Sequence, residues 1–575
     1  MKGDGYMRFK KRTAENSVAK IVAERLGYTL QELEQEISGK VKHTLDIPNM
    51  QEAVDLFWEY KDGPIRVYGD FDCDGIMACA IIEMGFRNLG VKDVTVTVPR
   101  RFSDGYGVKP ANVCDMKSGL LITVDNGIAA NEAITRAKEN GVKVIVLDHH
   151  QGRILDGKLF LPDADVIVDP HITGGEFQDY CGAGLAYRFM RQIFATKYRP
   201  KNVNSLLAAM ITMAAIATVG DHVSITSENR FMVRKGLEQM KIRNVSTGLH
   251  ELLDVMNLEG DITASDIAFT LAPAINAYGR LEDKGSRKVE SMLQWDGRNS
   301  EKLRNAAEII KQKNNERKEL SKRSTALAFD MIEQMKQDDK SFIVLQNDSF
   351  HPGLCGIIAS NITDNYKIPC TVFAKAKDGD IHVGSGRSRE WCDLKKTLDK
   401  CAELLWQYGG HPGACGLSIK TENIDAFREK VQLIVERVEE PDTDILYYDI
   451  DANIHTADKL YKEIQKYGPY GVDNEELVVR FKNLNLIANN YGETEKTMGQ
   501  IGEHIRLFAE GMEVSWFEKE GGTKTYREIG SPKKVDVIGT LSLNTFRGKS
   551  KLVLKVKDMV SLEENTNLND KIKNL

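Results

Sequence analysis

Three runs of apolar, β-branched residues in this chain each end in acid: IRVYGDFDCDG at 65–75, LLITVDNG at 120–127 and VKVIVLDHH at 142–150. Helix-like segments separate them. Near-continuous Val/Ile/Leu runs of this kind are strands buried on both faces, and an open parallel sheet built from them holds its ligand beyond the carboxyl ends of the strands. Asp70, Asp72, Asp74, Asp125, Asp148, His149 and His150 therefore converge on one edge. So much negative charge in one crevice has to be offset, most simply by divalent cations. The sequence predicts a metal site.

Each piece alone has a plainer reading. An Asp that follows a strand commonly caps the next helix, which is the alternative for Asp125. DFDCDG resembles the start of a calcium loop, but Ile81 stands at the twelfth position, where that loop requires Glu, so calcium is disfavoured. The paired histidines alone fit a structural pair. It is the three acid-terminated strands together that point to metal.

At 575 residues with 42% hydrophobic side chains, the chain has length for about three to five domains, each able to bury a core. Nine cysteines without a C-x-x-C pair speak for reduced thiols, and against a zinc ribbon or a disulfide framework. The charged start MKGDGYMRFKKRT has no apolar signal core, and the longest apolar helix-like stretch, 206–220, is too short to span a bilayer. These features predict a cytoplasmic protein with no membrane partner. The net charge of −6 provides no global attraction to nucleic acid, so any such contact must come from local basic patches.

Along the chain, residues 1–60 read as a helical leader, with candidate helices at 14–26 and 50–60. From Ile65 strand and helix alternate through VTVTVP, LLITVD, a helix closed by Gly141, VKVIVLD and DVIVDP, predicting a doubly wound α/β domain over 61–235. A helical linker region at 236–340 ends in a long helix over 300–340, a stretch with neither Gly nor Pro. A second α/β domain follows at 341–440, opening with SFIVLQN, and alternating patterns at 445–575 predict a small β-barrel.

These motifs together resemble the RecJ-type single-stranded-DNA exonucleases of the DHH phosphoesterase superfamily. The likeness covers nearly all the chain after about residue 60 and rests on GDFDCDG at 69–75, VDNG at 124–127, DHH at 148–150 and ATVGDHV at 217–223. NAYGRL at 276–281 resembles the element between the two lobes. HPGLCGIIAS at 351–360, GSGRS at 384–388 and GGHPGACG at 409–416 resemble the DHHA1 domain, and YGPYGVDNEE at 467–476 opens what in this family is an OB-fold.

The resemblance implies that Asp72, Asp74, Asp125, His149 and Asp221 hold two divalent cations, Mn2+ or Mg2+, with Asp125 bridging and Asp70 a ligand or a neighbour of one. It implies that His150 contacts the scissile phosphate or protonates the leaving oxygen, and that Asp148 orients an imidazole. Arg280, Ser385, Arg387, Ser388 and His411 are implied as phosphate-binding residues, several of them in glycine-rich turns. Two departures stand out. ATVGDHV exchanges glycine and alanine relative to the usual element, and Tyr68 occupies a position where some members carry histidine. Asp169 reads as a structural or capping residue.

The function implied is a metal-dependent exonuclease that hydrolyses single-stranded DNA from the 5′ end to mononucleotides, in repair, recombination or replication. Single-strand-binding protein or a helicase is the expected protein partner. Cations that activate water and clamp the phosphate make a covalent intermediate unnecessary. Two alternatives are weaker: a phosphoesterase for dinucleotides or small nucleotides would need only two lobes, and an inactive scaffold would not need the whole acid and histidine set. Phe546, Arg547, Lys549 and Lys551 are candidates for a strand-binding groove in the last domain, where an exposed hairpin is the plainer reading.

Overall fold

A computed structural model describes residues 9–39, 45–155, 158–295, 297, 300–376, 379–438, 445–499, 502–517, 521–546 and 549–563. The chain forms two compact units: one of Lys42–Leu327 with Pro469–Asn474, the other of Met1–Val41, Ala328–Gly468 and Glu475–Leu575.

The first unit is built on five parallel strands: β1 (Ile65–Tyr68), β2 (Val94–Thr97), β3 (Leu120–Val124), β4 (Lys143–Leu147) and β5 (Val166–Val168), in the order β2-β1-β3-β4-β5. Side chains alternate between two cores. Leu121, Val144 and Val146 meet Ile134 and Ala137 of helix Asn131–Glu139 on one face. Ile122, Val124, Ile145 and Leu147 face the other way, toward α1 (Cys73–Asn88), α2 (Gly182–Thr196) and α3 (Val203–Gly220). The sheet is doubly wound as expected. Strand order reverses beside β1, which leaves a crevice between the carboxyl ends of β1 and β3.

Among the described residues, α3 is the one helix long and apolar enough to cross a membrane, and 78% of it is buried inside the protein. It serves as a core helix. Residues 236–327 of the expected helical linker are also part of this unit, because Leu249, Leu252, Ile267, Val289, Leu303 and Ile310 join the same core as the sheet. The long helix α4 (Ser300–Gln334) has 35 residues and ends short of the expected 340.

The second unit holds two larger sheets and a two-stranded one. In the first, β6 (Ile343–Gln346), β7 (Cys370–Lys375), β8 (Ile381–Arg387), β9 (Leu405–His411) and β10 (Ala414–Lys420) lie in the order β9-β10-β8-β7-β6, with only the β6–β7 pair parallel. The other has seven strands: β11 (Ile450–Ala452), β12 (Val479–Asn485), β13 (Glu495–Met498), β14 (His504–Ala509), β15 (Met512–Trp516), β16 (Lys534–Phe546) and β17 (Lys549–Ser561), ordered β11-β12-β16-β17-β15-β14-β13.

The leader does not form one subdomain. Phe9–Lys11, read as part of a helical region, is a strand that pairs in parallel with Leu446–Tyr448. Arg25 and Arg12 both donate to the buried Asp449, at 2.5 and 3.4 Å, and Asp449 also accepts from the Val478 N–H at 2.7 Å. Helix Met50–Tyr60 belongs to the first unit, where Phe57 stacks on Phe86 at 4.7 Å. One buried carboxylate thus reinforces the strand pairing that holds the N-terminal segment. In Asp449→Ala the two guanidiniums lose a charge-assisted partner worth roughly 1.5–3 kcal/mol each, and limited proteolysis should cut within residues 9–39 at least about tenfold faster. Unchanged cleavage would show that strand pairing alone holds the segment.

Candidate metal centre

The turn after β1 folds back so tightly that a Cβ on Gly75 would lie 2.6 Å from the Asp70 backbone. Within it, Asp72 caps α1, its Oδ1 accepting from the N–H groups of Asp74 at 3.1 Å and Gly75 at 3.2 Å. Asp74 points across to the start of α2, where its two oxygens accept from Gly182 N at 2.6 Å and Ala183 N at 2.7 Å. A helix N-terminus is a natural seat for a carboxylate. Gly182 is required there, since a Cβ would come within 2.5 Å of the Asp125 Cβ.

Asp125 does not cap the helix that follows it. It sits at the end of β3 with φ of 59°, a left-handed conformation that Asp and Asn tolerate better than other non-glycine residues, and it is fully buried. His149 Nε2 lies 3.1 Å from Asp125 Oδ1, 3.5 Å from Asp74 Oδ2 and 3.7 Å from Asp221 Oδ2. Asp221 enters from the C-terminal end of α3. Two further groupings close the cluster: Asp70 with Asp72 and Asp125, and Asp125 with both histidines, each set with donor atoms within 4.8 Å. Asp125 belongs to both.

Asp148 turns away from this cluster. Its Oδ2 accepts from Ile128 N at 2.9 Å, while Oδ1 takes the His149 N–H at 2.8 Å and meets His150 Nδ1 at 2.8 Å. Asp169 caps the short helix after β5 and accepts from His171 N. Tyr106 and Arg101 are additions to the predicted set. The Tyr106 hydroxyl lies 3.2 Å from His150 Nδ1, and the Arg101 guanidinium covers the Phe71 ring at 4.0 Å. Both follow β2, so the rule that function gathers at strand ends would have found Arg101, at the end of VTVTVPRR.

Electrostatics single out the same residues. Burial, then the charges of neighbouring carboxylates, pushes Asp70, Asp125 and Asp221 well above the ordinary range and Asp74 up to about 6. One buried oxygen of Asp70 has no hydrogen-bond partner. Burial opposes the charge on His150, yet the hydrogen bond and charge of Asp148 outweigh it and push His150 up to about 9. Cys73 and Cys181 lie beside the acids and are driven well above their usual value by burial and by those charges, so they stay thiols. That leaves hard oxygens and one imidazole facing the crevice, a donor set for Mg2+ or Mn2+ and not for zinc held by thiolates. The residues fit such ions.

The basic residues form a separate group. Arg280 lies in the last turn of helix Ala272–Leu281 of the first unit. In the second unit, Ser385 pairs with Gly416, Arg387 with Ala414, and Ala414 in turn with His411, so Ser385, Arg387 and His411 share one face of the sheet. The half-buried Arg387 is lowered from its ordinary value by desolvation. Ser388 differs from the others, because its hydroxyl donates to the Cys392 carbonyl at 2.6 Å and closes a local loop. Arg547 and the side chains of Phe546 and Lys549 lie outside the described residues, and Lys551 is exposed on β17 beside Glu513 at 3.4 Å.

Residues 64–218 match the N-terminal domain of the DHH family, residues 339–437 the DHHA1 domain and residues 448–558 the RecJ OB domain. The single-stranded-DNA-specific exonuclease RecJ of Salmonella typhimurium is 31% identical over 439 residues, which cover 72% of this chain and 74% of that protein. The chain belongs to the RecJ family of single-stranded-DNA-specific exonucleases. RecJ of Bacillus subtilis is 29% identical over 526 residues, and the chain spans 63% of its length. The crystal structure of RecJ from Thermus thermophilus in complex with Mn2+ has a TM-score of 0.75 at 25% identity, over 97% of this chain and 80% of that one. The RecJ fold thus accounts for the α/β DHH domain, the second α/β lobe and the C-terminal OB domain.

The crowded acids give the metal-free protein a distinctive response to pH. A carboxyl whose folded value lies above its unfolded value keeps its proton longer in the folded chain, so stability is lost as pH rises between the two. Metal-free protein should lose Tm as pH rises above the unfolded carboxylate range, with Asp74 contributing between about pH 4 and about pH 6, and Asp125→Asn, which keeps the backbone preference but removes one charge, should lose less. Mn2+ should raise the wild-type Tm and barely move that of the variant. Thermal scans with and without Mn2+ decide this, and equal Mn2+ shifts in both proteins would remove Asp125 from the metal set.

Proposed function

We propose that this chain hydrolyses single-stranded DNA from its 5′ end to mononucleotides, using two Mn2+ or Mg2+ ions held at the carboxyl ends of β1, β3 and β4. The observation that carries the proposal is the place of Asp125 in two donor groups at once, with Asp70 and Asp72 in one and His149 in the other. In this reading Asp74, His149 and Asp221 complete one ion's site and Asp70 and Asp72 the other, with Asp125 shared. The similar RecJ of Thermus thermophilus is solved in complex with Mn2+, and that likeness supports the choice of ion. When bound, such ions acidify water and offset charge on the phosphate oxygens.

The rest is done by side chains. Asp148 holds the Nδ1 of His150, which fixes the ring and favours its protonated form. His150 then carries a second proton on Nε2, available to the phosphate or to the departing sugar oxygen. Asp148 cannot serve as a ligand while its oxygens accept from Ile128, His149 and His150, so its part is to position the imidazole. Ser385, Arg387 and His411 would hold a terminal phosphate from one sheet face. Ser388, committed to Cys392, supports the loop that carries them. Nine free cysteines, eight of them buried, support a cytoplasmic location.

Two measurements test this reading. Labelled single strands should yield mononucleotides from the 5′ end with Mn2+ or Mg2+ and nothing in chelator, and Asp125→Asn should lower the rate by at least about a hundredfold. Mononucleotides appearing first from the 3′ end would reverse the polarity, and full activity in chelator would remove the metals. In Arg387→Ala, the preference for a 5′-phosphate over a 5′-hydroxyl should shrink by about tenfold or more, as a charge-assisted hydrogen bond of roughly 1.5–3 kcal/mol is lost. An unchanged preference would assign Arg387 to the fold.

A further inference from the structure

Helix α1 starts at the metal centre and runs away from it, and its last turns line a cavity of about 460 Å3 in the first unit. Cavities of roughly 300 to 1,000 Å3 are the size of small-ligand sites. Glu83 and Arg87 of α1 line it together with Arg287 and Ser291 of helix Gly285–Leu293. Glu83 stands nine residues after Asp74, about 14 Å along the helix, so the cavity is separate from the acid cluster.

The polar groups of the cavity brace one another. The buried Gln294 accepts from Arg87 and donates to Glu83 Oε1 at 3.0 Å. Arg287 donates from Nη1 to Glu83 Oε2 at 2.9 Å and also to Glu290. Glu290, behind this wall, is fully buried, and one of its oxygens has no hydrogen-bond partner among the described residues. Burial holds its carboxyl well above the ordinary range against the pull of Arg287, which favours the neutral acid. Glu83 is then the one lining carboxylate set against two guanidiniums, and the cavity carries an excess of positive charge. Among the described residues Arg287 spends only Nη1, which leaves Nε and Nη2 to meet an acceptor.

Trp295 supplies the apolar wall. Its carbonyl accepts from Gly248 N at 3.1 Å, and Ser246 Oγ donates to the Leu293 carbonyl at 2.5 Å, so the chain is anchored on both sides of Gln294. The backbone then passes the indole so closely that a Cβ on Gly297 would lie 2.7 Å from Nε1. The ring is thus held from one side, while 43% of the residue stays exposed. A fixed aromatic face beside two guanidiniums matches a ligand that joins a planar ring to an anion.

We propose that this cavity binds a nucleoside 5′-monophosphate, with its base on Trp295 and its phosphate on Arg87 and Arg287. The choice of a nucleotide rests on the exonuclease reading, in which mononucleotides are the product. The cavity would then be a second place for product, apart from the metals but joined to them by two helices. Asp72 caps the start of α1, and Ser286 at the start of helix Gly285–Leu293 donates to the Phe71 carbonyl at 2.6 Å. Inorganic phosphate would satisfy the guanidiniums but leave the indole without a role.

The test uses the full chain in chelator, with Arg387→Ala as background so that the terminal-phosphate pocket does not compete. Calorimetry with thymidine 5′-monophosphate should show binding, and thymidine or inorganic phosphate should bind at least about tenfold more weakly. Adding Trp295→Ala should weaken the nucleotide by about tenfold, and Trp295→Phe should restore most of the affinity. Arg87→Gln should weaken the nucleotide by about tenfold and leave thymidine unchanged. Should Trp295→Ala unfold, Arg87→Gln decides alone. No binding in the Arg387→Ala background, full affinity in either variant, or phosphate bound as tightly as the nucleotide would overturn the proposal. If the unaltered protein fails to cut single strands, the exonuclease reading falls, while the same calorimetry still decides the cavity.

Discussion

Mutual repulsion among buried carboxylates is the constraint around which the first unit is organised. Asp70, Asp74, Asp125 and Asp221 are drawn together by strand ends and by the end of α3, and burial leaves them little water to screen one another. The fold limits this repulsion with backbone dipoles: the start of α2 faces Asp74, and the start of α1 faces Asp72. Those N–H groups fix orientation but supply no full charge. A cation-shaped demand remains, and it explains why glycine is needed at 75 and 182, where the backbone must approach the acids without side chains between.

Much of this was legible in the sequence because parallel strands buried on both faces leave an unmistakable apolar run, and each run ends where the chemistry begins. The five strands, the long helix and the gathering of acids follow from that pattern. Pattern reading does less well where structure is set by distant partners. Phe9–Lys11 is too short and too charged to announce a strand, and only pairing with Leu446–Tyr448 makes it one. Tyr106 and Arg101 sit in a connection with no periodicity, while the backbone donors of Gly182 and Ala183 have no side-chain signature at all.

Histidine and aspartate in the Asp148–His150 run illustrate how one short motif divides labour. Successive residues after β4 point in different directions, so one histidine meets the acid cluster while the other is held by Asp148. The same environment gives opposite outcomes: Asp148, despite its burial, is kept below its ordinary value by the hydrogen bond from His150, whereas Asp125 is pushed far above it by burial and by like charges. Chemistry is thus set by neighbours and not by residue type, and the sequence motif alone could not apportion these states.

The pairing of Phe9–Lys11 with Leu446–Tyr448 bears on how the chain is made. Partners more than four hundred residues apart cannot meet until the whole chain between them has been made, so Phe9–Lys11 finds its place long after it has left the ribosome. The first unit has a similar delay on a smaller scale, since Ile225 N donates to Val472 O. Most of the α/β sheet can assemble as it emerges, but neither unit closes before the region around residue 470 has appeared. Truncations that remove the region 446–478 should therefore disturb residues 9–25 as well.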